Sequence, residues 1–446
     1  MGVSTGRAIL RGIVTCAVML VAPAAHAQLL PLGASQKLEV GCDWVLAYDA
    51  EVAELGNFAF PETGARYWVA LVSDTVPPGS RLSIQGRYPE ARYSAFHLHD
   101  GKLFFLDAIS DNQIVPAPGS DNRNLDRTRR AATVESGGAY TVYAQINTVP
   151  PAFDPPMNTL YRHPPRALDG KVKRRTAVAY RTYLAEGDNT GGVGLPTLTL
   201  ETPEGAFSLP HAADAEVCAG IKAQLRTPPP SLPISLLPPL IPSRRPVFEK
   251  FDGAAINALG LGVGLNPHNG FMTAKVDRDY DDLLLVRGRL PHFTTQAAVG
   301  SVPQVRFWSI CQNGASSTRV HGCLADRDIE PDAAGFYNVV ISSHVARPAS
   351  LPSAYGWLNF GPEKIGVTII RELLAHPDFN ESIERASKAG AATERGDFMP
   401  KVTYCAQADF DVAIAAGQSP GDTFAACSAP AASLLPSLLP LAGTQR

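Results

Sequence analysis

Apolar and polar residues alternate along this chain in short bursts. In "LSIQ", Leu82 and Ile84 alternate with Ser83 and Gln85. In "YTVYAQI", Tyr140, Val142, Ala144 and Ile146 share one face while Thr141, Tyr143 and Gln145 take the other. A period of two residues marks half-buried β-strands. Glycine and proline, 38 of each, punctuate the bursts and predict many short strands joined by turns. One stretch departs from this rhythm. In "EKIGVTIIRELLA" (363–375) the apolar positions Val367, Ile370, Leu373 and Leu374 recur at helical spacing and Pro377 follows, which predicts a helix.

The bursts also repeat. "LSIQGRYPEARYSAF" (82–96) returns as "LLLVRGRLP" (283–291) and, after an insert, "VRFWSIC" (305–311). Around these strings, "RYWVALVSD" (66–74) falls opposite "GFMTAKVDR" (270–278), and "ARYSAFHLHDG" (91–101) opposite "VRFWSICQNG" (305–314). Further on, "ISDNQIVP" (109–116) matches "LADRDIEP" (324–331), and "GAYTVYAQI" (138–146) matches "GFYNVVIS" (335–342). Blocks in the same order indicate an internal duplication. A chain of 446 residues also exceeds what one core usually organises.

The expected fold is therefore mainly β, with two tandem, internally duplicated β-sandwich (jelly-roll-like) domains and a helix in the second. The first domain is expected at 36–225, a Pro-rich linker at 226–246, the second domain at 247–427 and a low-complexity Leu/Pro tail at 428–446. Pro89 and Pro291 close a strand, and Gly86 and Gly288 suit a bulge or tight bend just before it. The residues shared by both copies, Arg87, Arg92 and Asp111 with Arg289, Arg306 and Asp326, are expected to be structural. Guanidinium–carboxylate pairs of this kind hold strand ends together.

The strands "RYSAF…DG" and "RFWSIC…NG", with "YGWLNFGP" (355–362), resemble secreted bacterial proteins built from tandem domains of unknown function. In those proteins an Arg-Tyr-Trp-Ser strand marks a jelly-roll-like sandwich. The resemblance implies an all-β fold and an envelope location, and it carries no catalytic residue.

Composition narrows the function classes. The chain is 45% hydrophobic and 18% charged, which suits packed cores, and a net charge of -3 gives no global field favouring nucleic acid. Arg7 and Arg11, the apolar "GIVTCAVMLVAPAA" and "AHA" ending at Ala27 read as a signal peptide over 1–27. The mature protein is expected to begin near Gln28, periplasmic or secreted, with no transmembrane segment after cleavage. Removal of Cys16 leaves six cysteines, for which 15 pairings exist. Proximity favours Cys311–Cys323 across a hairpin and Cys405–Cys427 around a local loop, which leaves Cys42 for Cys218.

Several groups could carry chemistry. In "FHLHDG", His97 and His99 project to one face of a strand: two solvent-facing histidines beside a hairpin, or a metal or acid–base pair assisted by Asp107 or Asp111. The glutamate of a cupin is missing after them. "DRDYDD" (277–282) gathers Asp277, Asp279 and Asp281 at a turn, where oxygen-rich loops bind calcium, but the EF-hand pattern fails at Asp282 and Gly288. The basic clusters containing Arg129, Arg130, Arg174 and Arg175 are candidates for an anionic ligand. No cofactor motif is evident, and a metal stays open only at the histidines and the aspartate turn. Two readings follow. One is an exported envelope protein binding a small molecule, a glycan, a lipid or another envelope protein. The other is a hydrolase or lyase with a site between the domains, using His97, His99 and nearby acids such as Asp111.

Overall fold

The computed structural model describes residues 41–52, 56–73, 76–100, 104–122, 124, 137–146, 156–161, 175–209, 218–219, 242–251, 266–293 and 303–429, all within one compact unit. The expected signal peptide, nearly all of the expected linker and the tail beyond residue 429 lie outside the described residues. The chain is mainly β, arranged as two sandwiches of two sheets each.

In the first sandwich one sheet runs β1 (Gly41–Asp49), β2 (Ala65–Ser73), β8 (Arg175–Ala185), β4 (Ala91–Asp100), β5 (Phe105–Ser110). Its partner sheet runs β10 (Gly205–Ser208), β9 (Thr197–Thr202), β3 (Arg81–Arg87), β6 (Ala139–Gln145), β7 (Thr159–Tyr161). The second sandwich repeats the plan. Its first sheet runs β11 (Glu249–Lys250), β12 (Asn269–Asp277), β18 (Ile365–Leu373), β14 (Phe307–Gly314), β15 (Val320–Ala325). Its second runs β17 (Gly356–Asn359), β16 (Phe336–Ser342), β13 (Leu283–Arg289), β19 (Lys401–Cys405). The chain crosses between sheets from β2 to β3 to β4, and from β12 to β13 to β14, as in jelly-roll-like sandwiches. Even the exceptions repeat: β6 pairs with β7 in parallel, as β16 does with β17.

Each sandwich has its own core. In the first, Trp44, Trp68, Phe96 and Tyr180 pack between the sheets, with Phe96 stacked on Tyr180 at 4.9 Å. In the second, Trp308 meets Tyr337 at 4.8 Å among Ile310, Val339 and Ile370.

The helix expected over 363–375 is instead strand β18, hydrogen-bonded between β12 and β14. Nearly every residue of β18 is buried, because one face packs on the partner sheet and the other on the first sandwich. A strand buried on both faces loses its alternation, so its run of apolar residues matches a helical period by accident. Its two charged residues are satisfied on opposite faces: Arg371 turns toward the first sandwich, and Glu372 accepts from Arg395 at 2.7 Å inside the second. The helices lie further on, at α1 (Ala391–Glu394), α2 (Gln407–Ala415) and α3 (Pro420–Ser428). The last starts with Pro420 behind Ser419, whose hydroxyl accepts from the Asp422 N–H, a favourable helix start. The Cys405–Cys427 disulfide fastens this helix to the end of β19.

Gly86 and Gly288 do not form bulges. The β3–β6 and β13–β16 registers run unbroken through Gly86 opposite Tyr140 and Gly288 opposite Tyr337. Each glycine makes room for a tyrosine laid across its strand: a Cβ would stand 2.6 Å from the Tyr140 hydroxyl in one copy and 2.6 Å from the Tyr337 hydroxyl in the other. Gly86→Ala and Gly288→Ala are each expected to destabilise the protein by ~1–3 kcal/mol through overpacking. Thermal unfolding of the two variants checks this, and unchanged midpoints would contradict the steric account.

Candidate functional site

The two sandwiches meet through the outer faces of the sheets that contain β4 and β14. The joint is built on an exchange of charges between the copies. Arg306 of the second sandwich donates to both carboxylate oxygens of Asp111 in the first, at 2.5 and 3.0 Å. Arg92 of the first donates to Asp326 of the second at 3.0 Å. The backbones exchange as well: Arg306 Nε donates to the Arg92 carbonyl at 2.6 Å, and Arg92 to the Arg306 carbonyl at 3.3 Å. Each carboxylate also accepts from the adjacent strand of its own copy, Asp111 from the Ser94 N–H in β4 and Asp326 from the Trp308 N–H in β14. Of the residues shared by the repeats, Arg92, Arg306, Asp111 and Asp326 thus form their ion pairs across copies rather than within one copy. Burial pushes the Asp326 carboxyl up and the Arg92 guanidinium down, each against the pull of the other.

Two corners flank this exchange, and the strand registers make them counterparts. Tyr93 and Phe307 occupy one equivalent position, His97 and Cys311 a second, and Arg181 and Arg371 a third. Over each corner reaches the segment that precedes β2 or β12 in the other copy. That segment supplies Asn266 and His268 to the first corner and Glu62 to the second. Leu184 and Leu374, both with positive φ, donate to the carbonyls of Gly64 and His268 respectively, closing both corners in the same way.

The first corner holds the histidine pair. His97 and His99 are buried rather than solvent-facing, with 0% and 2% of their surface exposed. His268 from the second sandwich stands edge-on to His97 at 5.6 Å, and its Nδ1 lies 2.8 Å from the Tyr93 hydroxyl. The same hydroxyl lies 3.3 Å from His97 Nε2 and donates to Asn266 Oδ1 at 3.4 Å. Burial, with help from the Arg181 charge, lowers the His268 pKa to about 4, so this imidazole is neutral at pH 7. Burial pushes the Tyr93 hydroxyl well above its ordinary range. The Asn266 Nδ2 group is buried and has no hydrogen-bond partner among the described residues.

The second corner holds the Cys311–Cys323 disulfide. Glu62 Oε2 accepts from Ser309 Oγ at 2.5 Å and lies 3.1 Å from Cys311 Sγ. Arg371 approaches Cys311 Sγ at 2.8 Å and Glu62 at 3.3 Å, and donates to the Phe60 carbonyl at 2.6 Å. Burial pushes the Glu62 carboxyl up despite Arg371. Among the described residues, Glu62, Cys311 and Cys323 form the single group of three donors close enough to share a metal ion. The disulfide removes both thiolates from it.

The remaining candidates stand elsewhere. Asp107 accepts from the Tyr161 N–H, tying β5 to β7, and pairs in register with Leu98, on the face of the sheet away from His97 and His99. Asp111 is engaged by Arg306 and does not join the histidines. Asp277 and Asp279 face Lys364 at 3.6 and 2.7 Å, and Asp281 accepts from the Asp282 N–H. Arg129, Arg130 and Arg174 lie outside the described residues, and Arg175 opens β8. Arg289 pairs with Asp397 near the surface, and Arg87 is exposed at the end of β3. Cys42 and Cys218 are joined across 176 residues. Sequence reasoning missed Glu62, Arg181, Asn266, His268 and Arg371. Aligning "YRTYLA" with "IIRELLA" would have paired the two arginines, but the helical reading of the second string hid it.

No family model matches this chain, and no curated protein does. Among solved structures, an uncharacterized protein from Burkholderia cenocepacia is similar over 79% of both chains, with 13% identity and a TM-score of 0.44. A protein from Vibrio parahaemolyticus is similar over 77% of this chain and 90% of its own, with 11% identity and a TM-score of 0.36.

The interface chemistry leads to two expectations. Asp326→Asn leaves the Arg92 charge buried without its counter-ion, which should cost ~3–5 kcal/mol in denaturant unfolding. Asp111→Asn should cost a similar amount through Arg306, whereas Arg87→Ala should change little. The second expectation concerns acid. The His268 pKa falls from 6.5 in the unfolded chain to about 4 in the folded one. Between those values only the unfolded state takes up the proton, so stability is full above the upper value and declines as pH falls to the lower. The loss should reach ~3 kcal/mol. Urea unfolding of wild type and His268→Gln across this range checks it, the variant being expected to lose that part of the slope.

Proposed function

We propose that this is an exported envelope protein that holds a small polar ligand at the corner formed by Tyr93, His97, Asn266 and His268, without catalysing its conversion. The observation that carries this reading is the buried Asn266 amide, a donor without a partner among the described residues, beside the Tyr93–His268 pair. Buried donors are normally satisfied, and an unsatisfied one beside polar groups drawn from two sandwiches suits a ligand that supplies the acceptor. The set offers a hydroxyl, the neutral imidazole of His268 and an amide under the positive field of Arg181, which suits a ligand rich in acceptors more than a cation. Export is supported by three disulfides, which persist in oxidising compartments. No helix among the described residues is long and apolar enough to cross a membrane.

The hydrolase reading draws less support from the same geometry. An imidazole with a pKa of about 4 is a weak base at neutral pH, and Tyr93 is held away from ionisation. Asp111, the acid that reading needs, is committed to Arg306. The test is thermal unfolding and calorimetry with three probes: a dicarboxylate (succinate), a neutral sugar (glucose) and a phosphate ester (glycerol 3-phosphate). At least one is expected to stabilise the wild type, and Asn266→Leu is expected to weaken its binding about tenfold or more through loss of a buried hydrogen bond. Binding that survives Asn266→Leu and Tyr93→Phe unchanged, or no stabilisation by any probe, would overturn this assignment.

A further inference from the structure

The second corner contains a disulfide set among groups that a structural crosslink does not require. Cys311 and Cys323 stand directly opposite each other in the β14–β15 ladder, which continues on both sides of them through Ile310–Leu324 and Gln312–Gly322. The equivalent hairpin of the first sandwich, β4–β5, forms without a bridge: His97 faces Ala108 where Cys311 faces Cys323. The crosslink therefore adds little to a hairpin that hydrogen bonds already hold. Its surroundings are the unusual part. Cys311 is fully buried against the Arg371 guanidinium at 2.8 Å, with the Glu62 carboxyl at 3.1 Å, while Cys323 is half-buried and accepts from the Thr63 N–H at 3.4 Å.

From this arrangement we infer that Cys311–Cys323 is a thiol–disulfide exchange site, opened by a dithiol reductant that attacks Cys323 and expels Cys311. The reductant's thiolate forms a bond to Cys323 Sγ as the Cys311–Cys323 bond breaks, and the electron pair leaves on Cys311 Sγ. Arg371 stands where that charge develops, and a stabilised leaving thiolate departs faster. Two anions, Cys311 and Glu62, then share one guanidinium in a buried site, so a proton is taken up between them. Ser309, Tyr48 and Tyr67, with Asp328 beyond them, complete the polar surroundings. The reductant's second thiol attacks its own sulfur in the mixed disulfide and releases Cys323. Two electrons and two protons pass from the dithiol to the bridge, which ends as two thiols, and the reductant leaves as its disulfide. This inference stands apart from ligand binding at the first corner.

The Cys405–Cys427 bridge supplies a matched internal comparison, since it also joins a buried cysteine to a half-buried one. The oxidised full chain would be treated with dithiothreitol at pH 7, quenched by alkylation at intervals and mapped by peptide mass. Cys311–Cys323 is expected to open about tenfold or more faster than Cys405–Cys427, with the far-ultraviolet circular dichroism unchanged. Arg371→Met should slow that opening about tenfold while leaving the Cys405–Cys427 rate alone, and Arg371→Lys should recover most of it. Equal rates at the two bridges, or opening that occurs only with loss of the dichroism signal, would overturn the inference whether or not the arginine variants fold. A folded Arg371→Met variant with an unchanged rate would also overturn it.

Discussion

The joint between the sandwiches depends on one exchange: Arg92 of the first copy neutralises Asp326 of the second, while Arg306 of the second neutralises Asp111 of the first. Taking four charges out of water is costly, and the opposed shifts of Arg92 and Asp326 record that cost. What it yields is register. Each carboxylate is also fixed by a backbone N–H of the adjacent strand in its own copy, so the two outer sheets meet in a fixed alignment. The pattern is that of an isologous interface, in which each surface is its own complement, here closed within one chain.

With that alignment set, the two corners follow as geometric counterparts, and their chemistry is free to differ. Where one copy has His97, the other has Cys311. Where one receives Asn266 and His268 from its neighbour's entry segment, the other receives Glu62. The pair of buried arginines, Arg181 and Arg371, persists in both, each lying over an aromatic ring of its neighbouring strand, Tyr67 and Phe271. A cation held at the same place in both corners adds to the burial that keeps His268 neutral in one and gives sulfur a charge partner in the other. Duplication thus produced two corners from one plan, lined by different groups through a few substitutions.

How far the sequence could be read depended on where each strand's faces point. Strands with one face on a core and one toward water, such as β3 and β6, alternate and were legible. So were Gly86 and Gly288 as special positions, although their reason, room for a tyrosine, lies on a neighbouring strand. Strand β18 was illegible because both its faces are buried, and the arginine that faces the disulfide was hidden with it. His97 and His99 were visible as a pair on one face, but only the second sandwich decides whether that face is wet or dry.

The sequence by itself determined the repeated all-β plan, the pairing preferences of its cysteines and the identity of the arginines and aspartates common to both copies. These are carried by local period, spacing and repetition, which a linear string preserves. The tertiary structure alone decided that Arg92 and Arg306 reach across to the other copy, that His97 meets His268, and that Glu62 meets Cys311. Such contacts join residues as far apart as 311 positions, from Phe60 to Arg371. They arise only when two finished sheets dock face to face, and no local pattern of hydrophobicity encodes which distant side chain will complete a buried group.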